Sequence, residues 1–251
     1  MSGERIMDGG SDTDRKSLGL AVDGLVAGYG ETVVLDGIGL DVAAGDTLAV
    51  LGRNGVGKTT LLTTLMGITT RHAGTIRLGG AAIEALPIHR RVRMGLGYVP
   101  QEREIFKSLT VEENLAVSVL PGGWSIEEVY GLFPRLKERR GNTGNRLSGG
   151  EQQMLAMGRA LVGAPKVLLL DEPLEGLAPV VVETLIEALQ RIHEQAGLTI
   201  VLVEQKAEIA LSMTRNAVVL DRGKVVWSGT SAALKADEAA QASLLGVAGK
   251  H

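Results

Sequence analysis

Two clusters of residues in this sequence have the types and spacing to handle phosphate. The first is Gly52-x-x-x-x-Gly57-Lys58-Thr59, within LAVLGRNGVGKTTLL. Glycines allow a tight turn whose backbone N–H groups converge on an anion, and a helix leaving the turn adds its positive end. Arg53, Asn54 and Gly55 complete the loop, Lys58 can reach β- and γ-phosphates, and Thr59, followed by Thr60, can place a hydroxyl on Mg²⁺. The second cluster is Asp171-Glu172, where the apolar run KVLLLDEP ends on two carboxylates. Asp171 suits Mg²⁺, directly or through water, and Glu172 suits polarising a water for in-line attack on a γ-phosphate. Alone, either has a plain alternative: a Gly-rich turn without a ligand, or an acidic helix start beyond a core strand. Together they indicate a chain that binds a nucleoside triphosphate. A third stretch, LTIVLVEQKAE, stops an apolar strand on Glu204 and Gln205 with no turn residue between, which presents a charge and an amide to something.

These residues need strand tips and helix starts to hold them. LGLAVDGLVAGYG and TVVLDGIGLDV read as antiparallel strands, DTLAVLG as a strand entering the phosphate loop, and KTTLLTTLMGI as the helix leaving it. GTIRLGGAAI reads as a short hairpin or edge pair. From Gln101 to about Gly158, SLTVEENLAVSVL, SIEEVYGLF and EQQMLAMGRAL carry apolar residues at helical spacing, with Glu near the helix starts. This predicts a helical insert over about 102–158. KVLLLDEP, the helix PVVVETLIEALQRIHEQAG, LTIVLVEQ and NAVVLDRGKVVWSG then restore alternating strands and helices. That order predicts an α/β fold with a mainly parallel sheet. Parallel strands deliver their C-terminal ends to one edge, where ligands bind.

The 251 residues suffice for one α/β domain with an inserted subdomain, here residues 18–251, behind a polar leader at 1–17 that is expected to be disordered. A net charge of −3 gives no basic surface for nucleic acid. With no cysteine there is neither a disulfide nor a thiolate metal site, and the four scattered histidines lack metal-ligand spacing. No apolar run reaches the roughly 18–20 residues that cross a bilayer. The expected location is cytoplasmic, with any membrane work done through a partner.

Leu147-Ser148-Gly149-Gly150-Glu151-Gln152-Gln153, lying between Gln101 and the acidic strand, resembles the signature of the ATP-binding cassette family, and the resemblance spans the chain from about residue 18. It implies a P-loop ATPase with an antiparallel β subdomain and a helical subdomain beside the parallel core. Its cofactors would be ATP and Mg²⁺. It also implies that Ser148, Gly149, Gly150 and Glu151 open a helix facing the γ-phosphate of ATP held by a second cassette in a head-to-tail homo- or heterodimer. Tyr29 matches the aromatic that stacks on adenine, unless it is simply a core or edge tyrosine. Gln101 matches the loop glutamine that contacts Mg²⁺ and couples the site to the insert. EREIFKSLTVEENL resembles the surface that receives a membrane subunit, with Ile105 and Phe106 expected to be exposed; the alternative is a solvent-facing amphipathic helix.

Two places, three positions in all, depart from the commonest pattern of that family. Leu174 and Ala178 stand where Ser and Asp are usual, and Gln205, 33 residues after Glu172, stands where a histidine usually contacts the γ-phosphate. Capping of the following helix is the alternative for Gln205. With LGRNGVGKTTLL, VPQEREIF, LTVEENL and LVEQ, these departures resemble the second ATPase of hydrophobic, branched-chain amino-acid importers, with urea and short-amide importers as close relatives. The resemblance implies two permease subunits, a second ATPase subunit and a solute-binding protein as partners, and a peripheral position on the inner face of the membrane. Soluble cassette ATPases of DNA repair or translation, and export ATPases with separate membrane subunits, share the hydrolytic motifs. The former usually carry paired cassettes or basic extensions, neither of which is present in this sequence.

Overall fold

The computed structural model describes residues 16–246, so residues 1–15 of the expected leader lie outside it. Two sheets form the frame. Strands β1 (Leu20–Tyr29), β2 (Thr32–Val42), β4 (Thr70–Leu78) and β5 (Ala81–Ala82) make an antiparallel sheet in the order β2-β1-β4-β5. Strands β3 (Thr47–Leu51), β6 (Leu96–Val99), β7 (Val167–Asp171), β8 (Thr199–Val203), β9 (Asn216–Asp221) and β10 (Lys224–Thr230) make the second, ordered β10-β9-β3-β8-β7-β6. Every pairing in it is parallel except β9 with β10. The fold is therefore the α/β architecture expected: a mainly parallel core, an antiparallel β layer and helices inserted between β6 and β7.

β3, β7 and β8 are buried at all five positions, which is why they read as continuous apolar runs rather than alternating ones. Their alternate residues still go to opposite faces. Leu48, Val50, Val167, Leu169, Val201 and Val203 join the core shared with the antiparallel sheet, where Leu61, Leu62 and Leu65 of α1 (Lys58–Met66) also lie. Ala49, Leu51, Leu168, Leu170 and Leu202 join the other core, with α6 (Gly149–Val162), α7 (Pro179–Ala196) and α8 (Ala207–Met213). Burying each Leu and Val among them is worth about 1.5–3 kcal/mol, so the strands that end at the candidate site are firmly anchored.

The inserted region is more broken than its apolar spacing suggested. SLTVEENLAVSVL gives only the short helix α3 (Val111–Ala116), started by a capping box between Thr110 and Glu113. A second capping box, Ser125 with Glu128, starts α4 (Ile126–Leu132), and Pro134 at the first position starts α5 (Pro134–Glu138). The long α6 runs four residues beyond Gly158, to Val162. The spacing also left unmarked α2 (Ile88–Arg93) and the closing helices α9 (Ser231–Ala236) and α10 (Glu238–Leu245), all short. Among the described residues no helix is long and apolar enough to cross a membrane.

Candidate active site

Four neighbouring parallel strands deliver their C-terminal ends to one edge of the sheet. β3 leads into the phosphate loop and α1, β8 into Glu204 and Gln205, β7 ends on Asp171 before Glu172, and β6 leads to Gln101. Between them lies a cleft of about 260 Å³, lined by Asn54, Gly55, Gly57, Lys58, Thr59 and Thr60 together with Gln101, Glu172, Glu175, Gln205 and Val34 of β2.

Lys58 is 4% exposed and folds back over its own loop, donating from Nζ to the carbonyls of Gly52 (3.0 Å) and Arg53 (3.1 Å). The loop accepts no side chain at two points. A Cβ on Gly52 would stand 2.4 Å from the Leu220 carbonyl oxygen, and one on Gly57, at φ 107°, 2.8 Å from Leu35 Cδ2. Gly57 is also the N-cap of α1, which has no side-chain cap and no acidic residue in its first turn, so its first N–H groups remain free for an anion.

Glu172, 7% exposed, is held from both sides. Lys58 Nζ lies 3.5 Å from Oε1, and Gln205 Nε2 donates to Oε2 at 2.5 Å. Its backbone is in the left-handed region, φ 46°, which carries strain for a non-glycine residue and accompanies functional sites. Gln205 does not cap the following helix, since α8 has Lys206 as N-cap and no side-chain cap bond. Beside the pair, Thr59 Oγ1 donates to Asp171 Oδ1 (3.2 Å) and Tyr98 OH to Oδ2 (3.4 Å). Burial pushes the Asp171 carboxyl above the usual range; the Thr59 bond offsets this in part and the Glu172 charge adds to it. Burial, then the Asp171 charge, likewise raises the Tyr98 phenol. Gln101 is exposed at the rim and donates to Glu175 Oε2 at 2.5 Å.

Two groups at this edge, Tyr98 and Glu175, carried no separate signal in the sequence, and a third, Glu204, did but turns out differently. Tyr98 stands three residues before Gln101 but touches Asp171 only because β6 pairs with β7. Glu175 meets Gln101 across the cleft. Glu204, conspicuous as a charge after an apolar strand, turns inward instead of facing the cleft and is 3% exposed.

Other expected residues lie apart. Tyr29, at the end of β1, is 54% exposed and lies outside the cleft lining. Ser148, Gly149, Gly150 and Glu151 start α6 and are also absent from that lining. Ser148 and Glu151 bond each other's backbone N–H in a capping box (2.9 and 3.3 Å), with Arg139 Nε 3.6 Å from Glu151. The expectation that Ile105 and Phe106 are both exposed is half wrong. Phe106 is 47% exposed under the Arg159 guanidinium, 4.4 Å from its ring centre, whereas Ile105 is buried in the core because the loop turns it inward.

A family model described as ABC transporter matches residues 35–175, more than half of the chain. The high-affinity branched-chain amino acid transport ATP-binding protein BraG of Pseudomonas aeruginosa is 40% identical over 90% of this chain and 99% of its own length. The probable branched-chain amino acid transport ATP-binding protein LivF of Archaeoglobus fulgidus is 37% identical over 89% and 97%. Among solved structures, a dimeric ATP-binding cassette in a post-hydrolysis state, bound to ADP and Pi, superimposes with a TM-score of 0.75 at 22% identity, covering 84% of this chain and 98% of that one. With its phosphate loop, acidic strand tip and LSGGEQQ helix start in one α/β frame, this chain belongs to the ABC transporter family.

Proposed function

We propose that the chain is the ATP-hydrolysing subunit of an ABC importer for branched-chain or other hydrophobic amino acids. The observation that carries the catalytic part is the seating of Glu172 between Lys58 and Gln205 at the mouth of the phosphate loop. The solute class rests on the two amino-acid transport relatives, because the cleft of this chain, with its room and polarity, suits a nucleotide's phosphates.

In this reading the free N–H groups of the loop and of α1 bind the ATP phosphates. Lys58 turns its ammonium from the loop carbonyls to the β- and γ-phosphates, and Tyr29 offers an exposed ring face for the adenine. Glu172 orients the attacking water and takes up its proton, while the Gln205 amide holds Glu172 and lies against the γ-phosphate edge. Unlike histidine, that amide does not titrate near neutral pH. Thr59 and Asp171 supply the hard oxygen donors that fit Mg²⁺, with Gln101 able to swing in from the rim. Among the described residues no cluster of three or more His, Cys, Asp or Glu could hold a metal, which suits an ion completed by phosphate oxygens and water. Bound there, Mg²⁺ would neutralise charge building on the phosphate oxygens.

Ser148, Gly149, Gly150 and Glu151 serve the nucleotide of a second cassette, consistent with their place outside the chain's own cleft. A groove of about 460 Å³ between α1, α2 and β6 on one side and α6 and the segment just after α3 on the other is the docking place for a permease subunit. Its walls include Ile68, Ile88 and Val117, all exposed apolar side chains, and Arg159. A peripheral position on the inner face of the membrane follows from that docking.

The test is reconstitution with the neighbouring permease, second-cassette and binding-protein gene products. Branched-chain amino acid in the presence of its binding protein should stimulate ATP hydrolysis several-fold; stimulation by urea or short amides instead would overturn the solute assignment. The isolated chain should hydrolyse ATP poorly if its natural partner is a different cassette.

A further inference from the structure

Glu204 has no part in the mechanism above, yet it is a carboxylate with 3% exposure beside the catalytic pair. Both of its oxygens are engaged by backbone. Oε1 accepts from the Leu174 N–H and Oε2 from the Gln205 N–H, each at 3.2 Å, and the Lys206 N–H also favours its charge. Among the described residues no lysine, arginine or histidine forms an ion pair with it. Burial raises its carboxyl above the ordinary range, these N–H groups work against that, and the nearby Glu172 charge adds to it. A buried, unpaired carboxylate next to another carboxylate is a poor choice for stability alone, since an apolar residue would avoid the desolvation.

What the carboxylate does geometrically is close a ring. Glu172 and Leu174 belong to the turn that follows β7; Glu204 and Gln205 belong to the tip of the adjacent β8. Gln205 reaches across to the Glu172 side chain, and Glu204 reaches back to the backbone two residues beyond Glu172. The Glu172 N–H donates to the Val203 carbonyl (3.0 Å), which adds a third tie between the two tips. The ring encloses the left-handed Glu172 backbone, a conformation that persists only where surrounding contacts impose it. It also joins two of the positions at which the sequence departs from the common cassette pattern, Leu174 and Gln205. Leu174 contributes its peptide N–H, while its side chain is buried in the core.

We propose that Glu204 is a positioning residue for hydrolysis, its carboxylate clamping the turn after β7 to the tip of β8 so that Glu172 and Gln205 meet at the γ-phosphate edge. The role rests on the ATPase reading above. It predicts a split between chemistry and binding, because ATP is held by the β3–α1 loop, whereas the Glu204 carboxylate bonds the backbone of Leu174 and Gln205.

In the assembled transporter, Glu204→Gln keeps the volume but turns an NH₂ group toward one of the two N–H donors. It should lower kcat about 10- to 30-fold while ATP affinity changes less than about twofold, a loss in the range expected when reacting groups are misplaced by a fraction of an ångström. Glu204→Met removes the buried charge but leaves the Leu174 and Gln205 N–H groups without that acceptor; read well below its melting temperature, kcat should still fall while ATP affinity holds, separating positioning from folding. Combined with Gln205→Ala, Glu204→Gln should cost much less than the product of the two single effects, because both act through Glu172. Wild-type kcat in Glu204→Met, or an equal loss of ATP affinity and kcat in either variant, would overturn the proposal. Glu172→Gln is run in parallel: near-complete loss of hydrolysis there with wild-type kcat in Glu204→Met defeats only the clamp, whereas wild-type hydrolysis in Glu172→Gln defeats the site reading and the clamp with it.

Discussion

Two helices in this molecule begin at glycine-rich sequence, and their first turns are built in opposite ways. α1 starts at Gly57 with no side-chain cap, no acidic residue nearby and a buried lysine folded over the loop. α6 starts at Ser148 with its first turn closed by its own side chains, Ser148 to the Glu151 N–H and Glu151 to the Ser148 N–H, and with a carboxylate where an anion would approach. The first is arranged for a ligand by the chain alone. The second fills its Ser148 and Glu151 N–H groups with its own side chains, so a phosphate arriving there would meet the Gly149 and Gly150 N–H groups beside a negative side chain. Under the proposed function, similar composition gives one half-site built by the chain alone and one that a second cassette completes, and the difference lies in which partner satisfies the orphan N–H groups.

The largest effect should come from the autonomous half-site. Glu172→Gln removes the carboxylate held between Lys58 and Gln205, and hydrolysis should fall about 100-fold or more while ATP binding persists. Trapping of an ATP-bound dimer, read by light scattering, would extend the result to the α6 half-site. Unchanged turnover would show that the two half-sites differ less than their geometry indicates. Next in size, Lys58→Ala removes the ammonium but leaves the N–H cradle, and should weaken ATP affinity about 10- to 100-fold in equilibrium binding.

How far the sequence carried this reading differs between the same two regions. The phosphate loop, Asp171 and Glu172 were legible because their chemistry is local: each stands at the end of an apolar run, and β3 and β7 form where those runs predicted. Gln205 was legible as a strand ending, but its contact with Glu172 depends on β7 and β8 being neighbours, which no local pattern encodes. The inward turn of Glu204, the Tyr98 hydroxyl on Asp171 and the burial of Ile105 are tertiary in the same sense. The cap at Ser148 was legible from Ser-x-x-Glu, a pattern that fits a plain Gly-rich N-cap as well as a helix start that meets a ligand.

Asp171 offers a test that involves pH. Because burial raises its carboxyl in the folded chain, the folded state binds that proton more tightly than the unfolded state does. Its charge therefore costs stability, by an amount absent well below pH ~4, growing as pH rises from there through the raised folded-state value, and full above it. Asp171→Asn removes the charge and keeps one acceptor oxygen, for Thr59 or Tyr98, its NH₂ group turning to the other hydroxyl oxygen. In the absence of nucleotide and Mg²⁺ it should melt above the wild type at pH 7, with the two curves converging toward pH 4. A variant that melts lower at pH 7 would mean that the hydrogen bonds to Thr59 and Tyr98 outweigh the desolvation.

The smallest expected effects concern the helix starts themselves, and they should have opposite signs. α7 begins at Ala178 without a side-chain cap, with Pro179 at its first position. Like α1 it leaves N–H groups unsatisfied, but it has no glycine loop or lysine to arrange them for an anion. Ala178→Asp should therefore act as an ordinary cap and stabilise the chain by about 0.5–1 kcal/mol, seen as a higher urea midpoint at unchanged slope. Gly57→Asp introduces the same capping group at α1, but at φ 107° and with Leu35 Cδ2 2.8 Å from the new Cβ. It should destabilise by more than the cap returns and weaken ATP binding as well. If both substitutions stabilised the chain, the open start of α1 would be an unfilled cap like that of α7, and the contrast with α6 would lose its functional meaning.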